Sequence, residues 1–173
     1  MKTFEFTVIA SGLHPEEDGF EDRFFEAGCD DATIAFQKGV IILDFSREAV
    51  SFSRAVASAY EDVRRAGALI ERIEPDHLVS LSDIADRAHM TRQAIALYSN
   101  GERGKGFPIP VARVMSSTPL WDWYQVAEWL HRHDKLSKAA VAEARVVREA
   151  NIFLESHDMA PDSFAKRLEQ LAA

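Results

Sequence analysis

Apolar residues alternate with polar ones from Thr3 to Ser11, at Phe4, Phe6, Val8 and Ala10, the period of a strand with one buried face. Pro15 and the acidic run Glu16-Glu17-Asp18 predict the opening of a helix through Phe20, Phe24 and Phe25, because carboxylates suit the positive end of a helix dipole. Gly28 ends that helix. Ala32–Gln37 and Val40–Phe45 flank Lys38-Gly39, the two-residue spacing of a β-hairpin. Ser46 is the candidate cap of a helix over Glu48–Ala66 that carries Val50, Ala57, Tyr60 and Val63 among its apolar positions. Gly67 stops it, and Ala68–Ile73 supplies a last strand before Pro75.

This order, β-α-β-β-α-β, is the ferredoxin-like split pattern, so the chain is read as α+β with a ferredoxin-like domain over residues 1–75. Cys29 is the lone cysteine, which excludes an internal disulfide, a multi-cysteine zinc site and an iron–sulfur cluster. His14 and Asp30-Asp31 fall in predicted loops rather than in an acid–base or ligand set. The domain is therefore expected to bind a partner, to dimerise or to sense an effector.

From Leu81 to Tyr98 the spacing changes to that of two short helices joined by a tight turn. Ser80 or Ser82 caps the first helix. Ile84 and Ala88 face inward, and Ala85 is small enough for a second helix to cross closely. Met90 plugs the turn and Thr91 caps the second helix, whose core face is Ile95 and Tyr98. His89 stands at the turn position where glycine, free to take a positive φ, is the usual residue. A pair of this kind sets its second helix, here Thr91–Ser99, in a major groove with its N-terminal side chains at the base edges. Arg92 suits bidentate pairing with guanine and Gln93 with adenine. Ala96, Leu97 and Asn100 share or border that face, and Thr91 is within reach of a phosphate.

Asn100–Gly106 is a glycine-rich basic loop, and Phe107-Pro108-Ile109-Pro110 is extended because each proline biases its predecessor. Val111–Met115, a Ser116-Ser117-Thr118 tip and Leu120–Trp123 then predict a wing over Lys105–Trp121. It would lay Arg103, Lys105 and Arg113 on phosphates, with Ser116 and Ser117 near the minor groove. Tyr124–His131 resumes a helix with Val126, Trp129 and Leu130 inside. These elements define a winged helix-turn-helix domain over residues 76–133.

With Phe107-Pro108-Ile109-Pro110-Val111 and the close from Trp121 through Val126 to Trp129-Leu130, the stretch Val79–Leu130 resembles the winged helix-turn-helix domains of the AlpA/excisionase group, related to MerR-type regulators. The resemblance implies DNA binding by a small bacterial transcriptional regulator. Nothing here matches the effector-binding parts of MerR regulators, so effector control is not implied. The full arrangement, with Gly28-Cys29-Asp30-Asp31-Ala32, also resembles a group of bacterial helix-turn-helix proteins of unassigned role.

Residues 134–173 read as a helical tail. One helix spans Leu136–Leu154, with Ala140, Ala144, Val147 and Leu154 on a seam and Val141 and Phe153 beside it. Met159-Ala160-Pro161 breaks it, and a second runs over Asp162–Leu171. The seam is either core or the contact of a homodimer, which would suit paired half-sites one helical turn apart. His131 and His133 are too close in sequence to share a helical face as metal ligands, so no metal is expected.

Composition adds a complication. The 173 residues carry 20 Lys and Arg against 28 Asp and Glu, a net charge of −8 that argues at first sight against nucleic acid. The charge is unevenly placed. Residues 1–75 hold 8 basic and 15 acidic residues, net −7, whereas residues 76–133 hold 6 of each. Arg87, Arg92, Arg103, Lys105 and Arg113 face one carboxylate, Glu102, and screening keeps such a patch local, within about 10 Å.

There is no apolar run of membrane-spanning length and no signal-peptide core, so the protein is expected in the cytoplasm. No nucleophile–base pair, metal set or phosphate loop is present, so neither catalysis nor a cofactor is expected. The leading expectation is sequence-specific double-stranded DNA binding. The alternative is an interaction module, an antitoxin or adaptor, whose acidic residues 1–75 bind a protein partner while DNA binding is autoregulatory or absent.

Overall fold

A computed structural model describes residues 1–156 and 163–171. The chain is mixed α+β and packs as two units, Met1–Pro75 with Glu149–Ala173, and Asp76–Arg148.

The first unit begins with β1 (Lys2–Ser11), α1 (Phe20–Ala27), β2 (Ala32–Gln37), β3 (Val40–Ala49), α2 (Phe52–Arg65) and β4 (Leu69–Glu74). The sheet order is β2-β3-β1-β4 and every pairing is antiparallel. Alternation decides which face is covered: Phe6, Val8 and Ala10 of β1 and Ile41, Leu43 and Phe45 of β3 are buried. Onto that face α1 brings Phe20 and Phe24, and α2 brings Ala55, Val56, Ala59 and Val63. Lys38 and Gly39 have φ of 54° and 81°, the two positive values a two-residue hairpin turn requires.

Two boundaries differ from expectation. The acidic run Glu16–Asp18 lies in turns before α1, which starts at Phe20 behind Gly19. Ser46 does not cap a helix, because β1 is long enough to pair Lys2–Glu5 with Ser46–Ala49 and so extends β3. The helix start shifts to Ser51, whose Oγ accepts from Arg54 N at 3.3 Å, and Val50 is left exposed.

In the second unit β5 (Leu78–Val79) precedes α3 (Leu81–Arg87) and α4 (Arg92–Ser99), and β6 (Trp121–Asp122) leads into α5 (Trp123–Arg132). Leu78 pairs with Asp122 and Val79 with Trp121. Ile84, Ile95, Tyr98, Val126, Trp129 and Leu130 are buried together. Burying aromatic rings of this size supplies much of the stabilisation available to so small a core.

The tail is not a separate layer. α6 (Lys138–Glu155) contains the boundary between the units, and α7 (Ser163–Glu169) stacks Phe164 on Tyr60 at 3.9 Å between ring centroids. Ala144 belongs to the core of the second unit, whereas Phe153 meets Phe164 in the first. The expected break at Met159-Ala160-Pro161, and Asp162, lie outside the described residues. Among the described residues no helix is long and apolar enough to cross a membrane.

Candidate nucleic-acid interface

The α3–α4 pair is fixed at both helix starts by side-chain caps. Ser80 Oγ accepts from Asp83 N at 3.2 Å, and Asp83 Oδ2 accepts from Ser80 N at 2.8 Å, a reciprocal capping box. Hydrogen bonds from the Ser80 backbone and hydroxyl hold the Asp83 carboxyl below its usual range. The turn passes through His89 at φ 52°, so this chain does place a histidine in the left-handed conformation that glycine takes most freely. Met90 is half-buried against the core. Thr91 Oγ1 then accepts from Ala94 N at 3.2 Å, and its hydroxyl proton stays available to an acceptor.

This geometry sorts the residues of α4. Ile95 and Tyr98 are buried. Thr91, Arg92, Gln93 and Asn100 are exposed, Leu97 is 37% exposed and Ala96 half-buried. Arg92, Ala96 and Asn100 fall on one stripe, with Gln93 and Leu97 beside it. The outer face therefore offers a guanidinium, an amide and an aliphatic group on a rigid, capped helix.

The loop after α4 is pinned at its middle rather than free throughout. Trp129 Nε1 donates to the Lys105 carbonyl at 2.9 Å, and the Arg103 guanidinium lies 5.9 Å from the Tyr98 ring centroid. Gly104 sits at φ 70°, and a Cβ there would come within 3.0 Å of the Trp129 ring. A glycine is required at this point. The Lys105 and Arg103 side chains remain exposed.

The expected wing over Lys105–Trp121 is corrected. Val111–Met115 is not a strand, and the segment closes on a single bridge, Ala112 to Leu120. Pro108, Pro110 and Pro119 cannot donate to a ladder, and Arg113, at φ 53°, turns the chain as soon as the bridge is made. Leu120–Trp123 is not a returning strand of that hairpin either. Trp121-Asp122 pairs with Leu78-Val79, and Trp123 opens α5 behind the Asp122 cap, whose Oδ1 accepts from Tyr124 N at 2.9 Å. Arg113, Ser116 and Ser117 sit instead on an exposed turn, where Ser116 N donates to the Arg113 carbonyl at 2.9 Å. Arg87 leaves the basic patch as well, since its half-buried guanidinium packs 5.4 Å from the Trp123 ring centroid.

The histidines near the end of α5 serve the backbone. His131 Nδ1 bonds the Leu136 carbonyl and His133 Nδ1 the Trp129 carbonyl, both at 2.8 Å, and the His133 ring stacks on Trp129. Among the described residues no group of three His, Cys, Asp or Glu side chains is placed to hold a metal ion.

In the first unit Arg47, only 7% exposed, makes a pair of 2.8 Å bonds to Asp31, one to Asp62 at 2.8 Å and one to the Gly28 carbonyl. Asp31, expected only as a loop residue, is thus half of a part-buried ion pair. Parity offered a signal: Ile41, Leu43, Phe45, Arg47 and Ala49 all lie on the covered face of β3. Beside this cluster burial pushes the Cys29 thiol up to about 12, which makes it a packing group rather than a nucleophile.

No protein-family model, curated protein or solved structure matches this chain.

Proposed function

We propose that the second unit is a sequence-specific double-stranded DNA-binding module of a small bacterial transcriptional regulator acting in the cytoplasm. In this reading it is a reduced relative of the AlpA/excisionase-like winged helix-turn-helix. α4 enters a major groove with Arg92 and Gln93 at base edges, and Thr91, Arg103, Lys105 and Arg113 contact the backbone. One observation carries the reading: α4 is capped at its N-terminus and turns Ile95 and Tyr98 inward while Thr91, Arg92 and Gln93 stand exposed together. The charge supports it, because Asp76–Arg148 holds 10 basic and 8 acidic residues, net +2, in a chain of net −8. Ser116 and Ser117 lie on the turn that replaces the wing and serve there as hydroxyl donors to phosphates.

The order of elements and the β2-β3-β1-β4 sheet support a ferredoxin-like reading of the first unit. Its charge favours a second role. Met1–Pro75 with Glu149–Ala173 holds 10 basic and 20 acidic residues, net −10, a surface repelled by phosphates and suited to a basic protein partner, as in an antitoxin or adaptor. A homodimer would present two copies of α4 to half-sites one helical turn apart.

Selection of bound duplexes from a random pool tests the first reading. A single enriched motif is expected, and its enrichment should depend on Arg92. A pool that stays random through successive rounds would overturn the reading.

A further inference from the structure

The chain treats the two edges of its larger sheet differently. At the β4 edge, buried Asn151 accepts from Ile73 N through Oδ1 at 2.8 Å and donates through Nδ2 to the Ile73 carbonyl at 2.9 Å. One side chain thereby supplies the pair of hydrogen bonds a further strand would make, a way of blunting an edge. The β2 edge has no such cover. Apart from the turn bond from Ala32 N to the Cys29 carbonyl, no backbone group among the described residues pairs with its outer side. The two-residue turn makes Gln37 and Val40 a hydrogen-bonded pair, so the alternation of the ladder leaves the N–H and C=O of Ile34 and Phe36 pointing outward.

A groove runs alongside this open edge. Two adjoining hollows of about 520 and 270 Å³ share Glu21, Asp22 and Ile34. Phe36 lines one end, and Phe25, 68% exposed, lines the other. Glu17 on the rim is paired with Arg23 at 3.5 Å, whereas Glu16, Asp18, Glu21 and Asp22 have no cationic partner among the described residues.

We propose that the β2 edge and this groove are the docking site for an extended segment of a partner protein that alternates apolar residues with lysine or arginine and adds to the sheet as a fifth strand. Main-chain bonds to Ile34 and Phe36 give such a strand its affinity, and its lysine or arginine side chains, all on one face, enter the groove, their stems beside Phe25 and Phe36 and their charges at its carboxylates. The rim selects the occupant. A second copy of this chain would set the same carboxylates against each other, while a cationic strand neutralises them. The proposal gives a place to the partner reading of the first unit and does not depend on α4.

The test uses the full chain and a short labelled peptide alternating Lys with Val, with a Glu–Val peptide as control, followed by fluorescence anisotropy. The Lys–Val peptide should bind and the Glu–Val peptide should not, with slowed hydrogen exchange at the Ile34 and Phe36 amides. Ile34→Pro removes an outward N–H while sparing the ladder to β3. It should weaken binding by about tenfold or more, as should Asp18→Lys combined with Asp22→Lys, which leaves the backbone untouched. No binding of the Lys–Val peptide would overturn the proposal. If the lysine double variant lost binding while Ile34→Pro and the two amides were unaffected, the unit would be a cationic-partner surface without strand addition, and the docking site would be wrong. Self-association of the chain that Ile34→Pro abolishes would make a second copy the occupant instead.

Discussion

The two units carry net charge of opposite sign. The first carries net −10, yet it buries a guanidinium, holding Arg47 between Asp31 and Asp62 beneath its sheet. The second carries net +2 and keeps Arg92, Arg103, Lys105 and Arg113 in solvent, with the Tyr98 ring beneath Arg103. In the first unit the Arg47 cluster holds charge within the fold. In the second, Arg148 pairs with Asp122 at 2.6 Å, while the cations on and after α4 stay exposed. Net charge of the whole chain, −8, describes neither.

That contrast predicts that deleting Arg47 should cost folding, whereas deleting an exposed cation of the second unit should cost binding. Arg47→Ala leaves two part-buried carboxylates without their guanidinium, so the chain should lose about 1–3 kcal/mol of stability by urea denaturation. Duplex affinity of the folded fraction should be unchanged. A loss within about 0.5 kcal/mol would mean that the Arg47 cluster is solvated after all. In the second unit one sensitive position is an uncharged glycine. Gly104→Ala meets both a positive φ and the Trp129 ring, so a destabilisation of about 1–3 kcal/mol is expected, read as a lower melting point.

Binding effects come next. Arg92→Ala should weaken a selected duplex by about 1–3 kcal/mol while leaving non-specific duplexes nearly as they were, and it should leave urea stability unchanged. Lys105→Ala should weaken all duplexes alike and reduce the salt slope by about one unit, measured as log affinity against log salt concentration. Equal losses on all sequences for Arg92→Ala would recast it as a phosphate contact.

The smallest effect expected is a pH dependence. Asp83 has a depressed folded pKa, set first by the Ser80 backbone N–H. Its contribution is therefore present above the carboxylate range and lost as pH falls through the depressed value. Asp83→Asn should flatten the acid limb of α3 stability, followed by helix signal against pH.

How far the sequence disclosed these features depended on how local their causes are. The Lys38-Gly39 turn, the strand Ala32–Gln37 and the Thr91 cap are set by a few adjacent residues and were legible. The end of β3 was not, because Ser46–Ala49 become a strand only when Lys2–Glu5 lie opposite, and Ser46 alone reads as a cap. The wing failed for a related reason: Val111–Met115 has strand-like composition, but its ladder ends where Arg113 takes a positive φ. Arg47 was missed because a charged residue reads as exposed until both of its acidic partners, distant in sequence, are seen beside it. At the candidate interface, the side chains of α4 were read from spacing and caps, while the place of Arg103, Lys105, Arg113, Ser116 and Ser117 waited on the loop.

In the proposed function, Arg92 on α4 reads a base. The most direct measurement is a double-mutant cycle: wild type and Arg92→Ala, each titrated onto the selected duplex and onto the same duplex with its contacted guanine replaced. Replacing that guanine should weaken wild type by about 1–3 kcal/mol and leave Arg92→Ala almost indifferent, because the partner is already gone. If both proteins lost the same affinity to the base change, Arg92 would not be the reader and the assignment of this face would be wrong.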